Sequence, residues 1–161
     1  MILAIMKKMK DLNSELAQHV AAIKKGEEPA CSEAVSLSRD ISFFDCNKRD
    51  LFQYSGLMDV LMKVAEEDAG IARVDALKAI QNIARCDGNK RELFQYSGLM
   101  DVLMKVAEED TGDARVSAMG AIGNIATCDG NKRELFQYSG LIDVLMKVVK
   151  DDCTGQGIEC Y

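Results

Sequence analysis

The chain has 161 residues, 48% hydrophobic and 29% charged, with one proline and no tryptophan. That composition describes a soluble globular domain long enough to bury a core, and it excludes a disordered chain. The net charge of −6 argues against nucleic acid or an anionic membrane as partner, because both select a positive face.

In chain order, the opening MILAIMKKMK holds too short an apolar run to span a bilayer. Its charges follow the run instead of preceding it, unlike a signal peptide. No direct membrane insertion is expected, and the location is read as intracellular, most simply cytoplasmic, with an organelle left open. SELAQHVAAIKK (14–25) reads as an amphipathic helix carrying the one histidine, His19. The six cysteines form no C-x-x-C pair: Cys86 and Cys128 share one place in successive repeats, and Cys31, Cys46, Cys153 and Cys160 are scattered. Four convergent ligands are therefore not in view, and no metal is expected. Free thiols in a reducing compartment are the simplest reading.

From residue 47 the chain repeats itself. NKRELFQYSGL occurs at 89–99 and 131–141, and NKRDLFQYSGL at 47–57. Residues 47–88 and 89–130 align without a gap and differ at only eight of 42 positions. Upstream, ACSEAVSLSRDISFFDCN (30–47) falls in register with ARVDALKAIQNIARCDGN (72–89), so 5–46 reads as a worn first unit. The third copy keeps the phrase through Val148 and then degenerates. The whole chain, 1–161, is read as one domain: a degenerate repeat (5–46), full repeats (47–88 and 89–130), and a truncated repeat with a tail (131–161). A helical period of this length means stacked units, each burying its apolar stripe on its neighbour.

Within a full unit the spacing predicts three helices. NKRELFQYS is a short first helix capped by Asn89 and anchored by Leu93 and Phe94. Gly98 then permits a sharp turn. In LMDVLMKVAEED, Leu99, Val102, Leu103 and Val106 recur at i, i+3, i+4 and i+7, as in an amphipathic helix. ARVSAMGAIGNIATC is the third helix, with Val116, Met119, Ile122, Ile125 and Ala126 predicted to face inward.

Three helices per unit of about 42 residues, a short first helix ending in Gly, and an Asn within GNIA of the last helix resemble armadillo repeats. The resemblance covers nearly the whole chain. A HEAT array is the structural alternative, although its two-helix unit typically lacks the short first helix and the glycine bend. The resemblance implies an all-α fold, a right-handed α-solenoid of three-helix repeats. It also implies a non-enzymatic binding scaffold whose third helices line a concave groove holding an extended peptide or protein segment. The Asn clamping the peptide backbone would be Asn82 and Asn124, with Asp40 in the first unit. A carboxamide both donates and accepts, so it suits the free N–H and C=O of a strand without a sheet partner. The tryptophan of nuclear-import grooves is replaced here by Ser36, Lys78 and Gly120, so a nuclear-localisation-signal receptor is not expected.

The differences between the full units bear on that groove. Asp50/Glu92 and Leu77/Met119 are conservative, and Ala69/Thr111 lies in a loop. Ile71/Asp113, Asp75/Ser117, Lys78/Gly120, Gln81/Gly123 and Arg85/Thr127 remain. At about 100° per residue, positions 71, 75, 78 and 85 share one face of the third helix around Asn82, with 81 at its edge. Either this face has diversified for a ligand, or it is a solvent face free to drift. On the first reading Lys78 and Arg85 favour acidic or C-terminal carboxylate groups, Asp75 and Gln81 complete the wall, and Gly120 and Gly123 admit a close backbone. Two helical glycines cost roughly 0.8–1 kcal/mol each relative to Ala.

The basic pairs Lys48–Arg49, Lys90–Arg91 and Lys132–Arg133 either form a ladder for an acidic partner or answer nearby acids such as Asp87 and Glu92. The tracts Glu66–Asp68 and Glu108–Asp110 read as a solvated acidic ridge. No phosphate-binding glycine loop follows a strand and no nucleophile has a positioned base, so neither enzyme activity nor a cofactor is expected.

The final unit lacks a third helix, which predicts that Leu141, Val144, Leu145, Val148 and Val149 lose a cover. Either the tail folds back with Ile158 and Tyr161, or another chain docks there; the apolar segment Ile2–Met9 is a second such end. The alternative function is thus an accessory subunit of a larger assembly, docking through uncapped solenoid ends.

Overall fold

A computed structural model describes residues 10–11, 14–22, 30–43 and 47–155, with the side chains of 30–34 and 152–155 left aside. All regular structure among the described residues is helical. After α1 (14–22) come α2 (Ala30–Ser42), α3 (Lys48–Gln53), α4 (Leu57–Glu67) and α5 (Gly70–Ile83). The same triplet recurs as α6 (Asp87–Phe94), α7 (Leu99–Glu109) and α8 (Gly112–Ala126), followed by α9 (Asp129–Phe136) and α10 (Leu141–Gly155).

Each helix packs on its counterpart in the next unit: α2 on α5 and α5 on α8, α4 on α7 and α7 on α10, α3 on α6 and α6 on α9. Sequence explains why. The identical LMDVLMKVAEE of α4 and α7 buries its leucines, valines, first methionine and alanine. The third helices bury small residues, Ala76 and Ala79 in α5, Ala118 and Ala121 in α8, which let neighbouring backbones approach closely. Gly56, Gly98 and Gly140 precede the second helices at φ +84°, +78° and +78°, the left-handed region that a Cβ disfavours. The expected glycine bend is therefore present.

Two expectations need correction. Asn89 does not cap α6, because the helix starts two residues earlier, at Asp87. An acid in the first turn suits the positive end of the helix dipole, and Asn89 is left one turn in, fully buried. Its Nδ2 donates to the carbonyls of Ile83 (3.0 Å) and Lys48 (2.9 Å). Asn131 repeats this on Ile125 and Lys90, at 3.0 and 2.9 Å. Ile83 ends α5, where carbonyls lack intrahelical partners, and its carbonyl accepts from the Cys86 amide (3.2 Å) as well as from Asn89. The Asn thus ties three helices together. Secondly, Val116 points outward and is 66% exposed, whereas Ile122 and Ile125 are buried and Met119 and Ala126 pack partly against the core. Val74, at the same place one unit earlier, packs against the core because another unit lies beyond it.

Of the recurrent basic pairs, the arginines Arg49 and Arg91 act between units. Arg49 Nη1 donates to Gly88 O (2.8 Å) and Asn89 Oδ1 (2.9 Å), and its Nη2 donates to Glu92 (2.7 Å). Arg91 makes the same set to Gly130, Asn131 and Glu134 at 2.9, 3.1 and 2.8 Å. Lys90 and Lys132 pair with Asp87 and Asp129 within their own first helices. The acidic ridge is laced in like fashion: Lys105 reaches Glu66 and Lys147 reaches Glu108. Arg73 holds Asp110 at 2.7 Å, and that hydrogen bond is the main reason the Asp110 carboxyl lies below its ordinary pKa.

Candidate functional site

Two surfaces were singled out by sequence, the wall of third helices and the end beyond α10. Helices α2, α5 and α8 pack in succession and set the candidate groove residues side by side. Arg39 of α2 donates through Nη1 to both oxygens of Asp75, at 2.7 and 2.8 Å, and through Nε and Nη2 to Asp40. The Asp75 bonds are the largest cause of a guanidinium pKa raised above its usual value. Asp75 is buried, so it serves the joint between α2 and α5 instead of facing a ligand. Lys78 Nζ lies 3.1 Å from Asp113 of the next unit. Asn82 Nδ2 donates to Ser42 Oγ (3.2 Å), and Asn124 Nδ2 to the Gln81 carbonyl (3.1 Å).

Gly120 was expected to leave room for a ligand's backbone. Instead the Gln81 side chain occupies that space: a Cβ on Gly120 would fall 2.0 Å from Gln81 Nε2. At Gly123 no described residue comes within 4 Å of the Cβ position. Differences between the units therefore answer one another: Asp113 meets Lys78, Asp75 meets Arg39, and Gly120 accommodates Gln81. Neither free drift nor selection for a ligand is needed for those positions. Arg85 stays exposed and makes no ion pair with a described residue, and Asn82 and Asn124 are half-buried.

A cleft of about 530 Å³ lies between α2 and α5, lined by Arg39, Asp40, Phe43, Lys78, Gln81 and Asn82. Phe43, 74% exposed, was not singled out from sequence. The signal was available: it stands in register with Arg85 and Thr127, so an aromatic replaces polar residues at one place on the wall.

At the far end the structure divides the expected stripe. Leu141, Val144 and Val148 are buried and Leu145 packs partly against the core, because α10 lies on α7 and α9. Of the five, Val149 alone is exposed, at 53%. The uncovered stripe is the neighbouring one, Ile142 (44%), Met146 (53%) and Val149, joined by Phe136 at 74%. In α7 the matching Met100 and Ala107 are buried and Met104 is half-buried. The segments containing Ile2–Met9, Ile158 and Tyr161 lie outside the described residues.

The joints between units show what normally lies on such a face. Phe52 meets Tyr96 edge-on at 6.3 Å, and Phe94 meets Tyr138 at 6.1 Å. Tyr96 donates its hydroxyl to Asp59 at 2.7 Å and Tyr138 to Asp101 at 2.8 Å. Burial and, after it, that bond to a carboxylate push the Tyr96 phenol up to about 12, and the same two causes raise Tyr138. Cys86 and Cys128 are free, half-buried thiols. Among the described residues no group of three acids, cysteines or histidines could hold a metal, and no helix is long and apolar enough to cross a membrane. No known protein family, curated protein or solved structure matches the chain.

Proposed function

We propose that the chain is a non-enzymatic protein-interaction scaffold, a right-handed α-solenoid of armadillo-like repeats with α2, α5 and α8 along its concave wall. Its ligand is an extended peptide or protein segment laid across the cleft between α2 and α5. The observation that carries this reading is the cleft itself, where exposed Phe43 and the half-buried Asn82 carboxamide meet, and just past α5 stands exposed Arg85, in no ion pair with a described residue. Asn82 gives one amide hydrogen to Ser42, and Asn124 gives one to Gln81. Each retains a second donor and an acceptor oxygen for a peptide backbone. Phe43 supplies apolar contact, and Arg85 favours an acidic side chain or a terminal carboxylate.

A dodecapeptide display library panned on the full chain tests this. Enriched peptides are expected to be acidic, to lose roughly 1–1.5 kcal/mol of affinity for each of Asn82→Ala and Asn124→Ala, and to give way to basic peptides with Arg85→Glu. Affinity unchanged in the double Asn variant would move the site off this wall. A second reading, an accessory subunit docking through its end, is favoured by the exposed Phe136, Ile142, Met146 and Val149.

A further inference from the structure

The end beyond α10 carries more than apolar area; it carries a third set of partner-holding groups that no described residue fills. At two interior joints one constellation grips the following unit in the same way. Arg49, Phe52 and Asp59 hold Gly88 O, Asn89 Oδ1, Glu92 and Tyr96. Arg91, Phe94 and Asp101 hold Gly130 O, Asn131 Oδ1, Glu134 and Tyr138. In both, the arginine also lies over the phenylalanine of its own helix, 5.7 Å from the ring centroid.

The constellation occurs a third time in the same register, as Arg133, Phe136 and Asp143. Here Arg133 and Asp143 are exposed and pair with no described residue, and Phe136 is three-quarters uncovered. Sequence, backbone and register match the occupied joints, so the complement is specified by what fills them.

We propose that this face is a preformed socket for a helix-opening segment of a partner polypeptide reading Gly-Asn-x-x-Glu-x-x-x-Tyr. The inference rests on the end-docking reading and adds the partner's chemistry and direction. The partner's Asn and Glu engage Arg133, its Tyr ring meets Phe136 edge-on, and its Tyr hydroxyl donates to Asp143. A second copy of this chain, arriving by its own first unit, is a poor fit. The positions in register with Asn, Glu and Tyr are there Ile5, Lys8 and Leu12, which would set a lysine against Arg133.

The test is fluorescence anisotropy of the full chain with a labelled peptide of residues 86–100 of this sequence, CDGNKRELFQYSGLM, as probe. Saturable binding is expected, with Kd rising about tenfold for Arg133→Ala, as befits hydrogen bonds to a charged group. Peptides with Glu92→Gln or Tyr96→Phe should weaken by several-fold, and Phe136→Ala should weaken every peptide. No saturable binding overturns the inference. Binding that is lost with Phe136→Ala but indifferent to Arg133→Ala and to both altered peptides overturns it while leaving end docking intact. Binding that appears only when residues 156–161 are removed makes the tail the occupant. A dimer in sedimentation velocity that Phe136→Asp dissociates makes a second copy the occupant; both results also overturn it.

Discussion

Phe94 and Phe136 stand in identical eleven-residue phrases on helices of the same length. Yet Phe94 is half-buried against Tyr138, while Phe136 is 74% exposed. The same contrast separates Met100, buried in α7, from Ile142 in α10. Local sequence sets the helix and the direction of each side chain; whether a direction leads to core or solvent depends on a neighbour one repeat away. In a stack, burial belongs to the interface between units, and stability follows as unit terms plus nearest-neighbour terms.

The strongest way to break this comparison is at the buried Asn. Asn89→Ala removes two donated bonds and the acceptor for Arg49, while the Ile83 carbonyl keeps its bond from the Cys86 amide. A loss of about 3 kcal/mol in urea denaturation is expected, since three buried or part-buried hydrogen bonds go, each worth about 1 kcal/mol. Asn131→Ala removes the same bonds one unit later. There only α9 and α10 depend on the joint, so those helices should lose amide hydrogen-exchange protection first while α4 and α5 keep theirs. Equal loss of protection along the chain would mean that the units are not separable.

The comparison is sharpened by the paired aromatics. Phe94→Ala should destabilise by about 1–2 kcal/mol, combining lost apolar area with the edge-on ring contact. Phe136→Ala should change stability by less than about 0.5 kcal/mol, as an exposed position does. Matching thermal shifts for the two variants would show that Phe136 is covered in solution.

The smallest effects lie on the third-helix wall. Gly123→Ala meets no atom of a described residue and gains helix propensity, so it should stabilise α8 by roughly 0.8–1 kcal/mol. Gly120→Ala gains the same propensity but must displace the Gln81 side chain, which can swing aside at the loss of its packing. It should therefore stabilise less, and guanidinium midpoints would resolve the order. The reverse order would mean that Gln81 does not occupy the space beside Gly120.

Much of this molecule was legible in its letters. The period, the helices, and the turn at Gly98 follow from 3.6-residue patterning and from the φ that only glycine adopts freely, both properties of a few consecutive residues. The buried stripe Leu99, Val102, Leu103 and Val106 follows in the same way. Of the residues read from sequence as a groove wall, two have surroundings that sequence did not anticipate. Asp75 is buried under Arg39, and Gly120 is filled by Gln81. Sequence passed over Phe43, because an aromatic that ends a worn repeat looks like core until its surroundings are known.

What sequence determined by itself is therefore the local: a helical repeat, its hinges, and which residues point the same way. Tertiary structure alone decided the pairings. Lys78 with Asp113, Asn89 with Lys48 and Arg49 with Glu92 join residues 35, 41 and 43 positions apart, distances bridged only when whole units have stacked. It also decided which stripe of α10 is covered and which is open. Leu141 and Ile142 are adjacent, equally apolar residues, but they lie about 100° apart on the helix. One faces α7 and α9, and the other faces the side where no described helix lies. Helix periodicity fixes that angle; the placement of neighbouring helices determines which direction is inside.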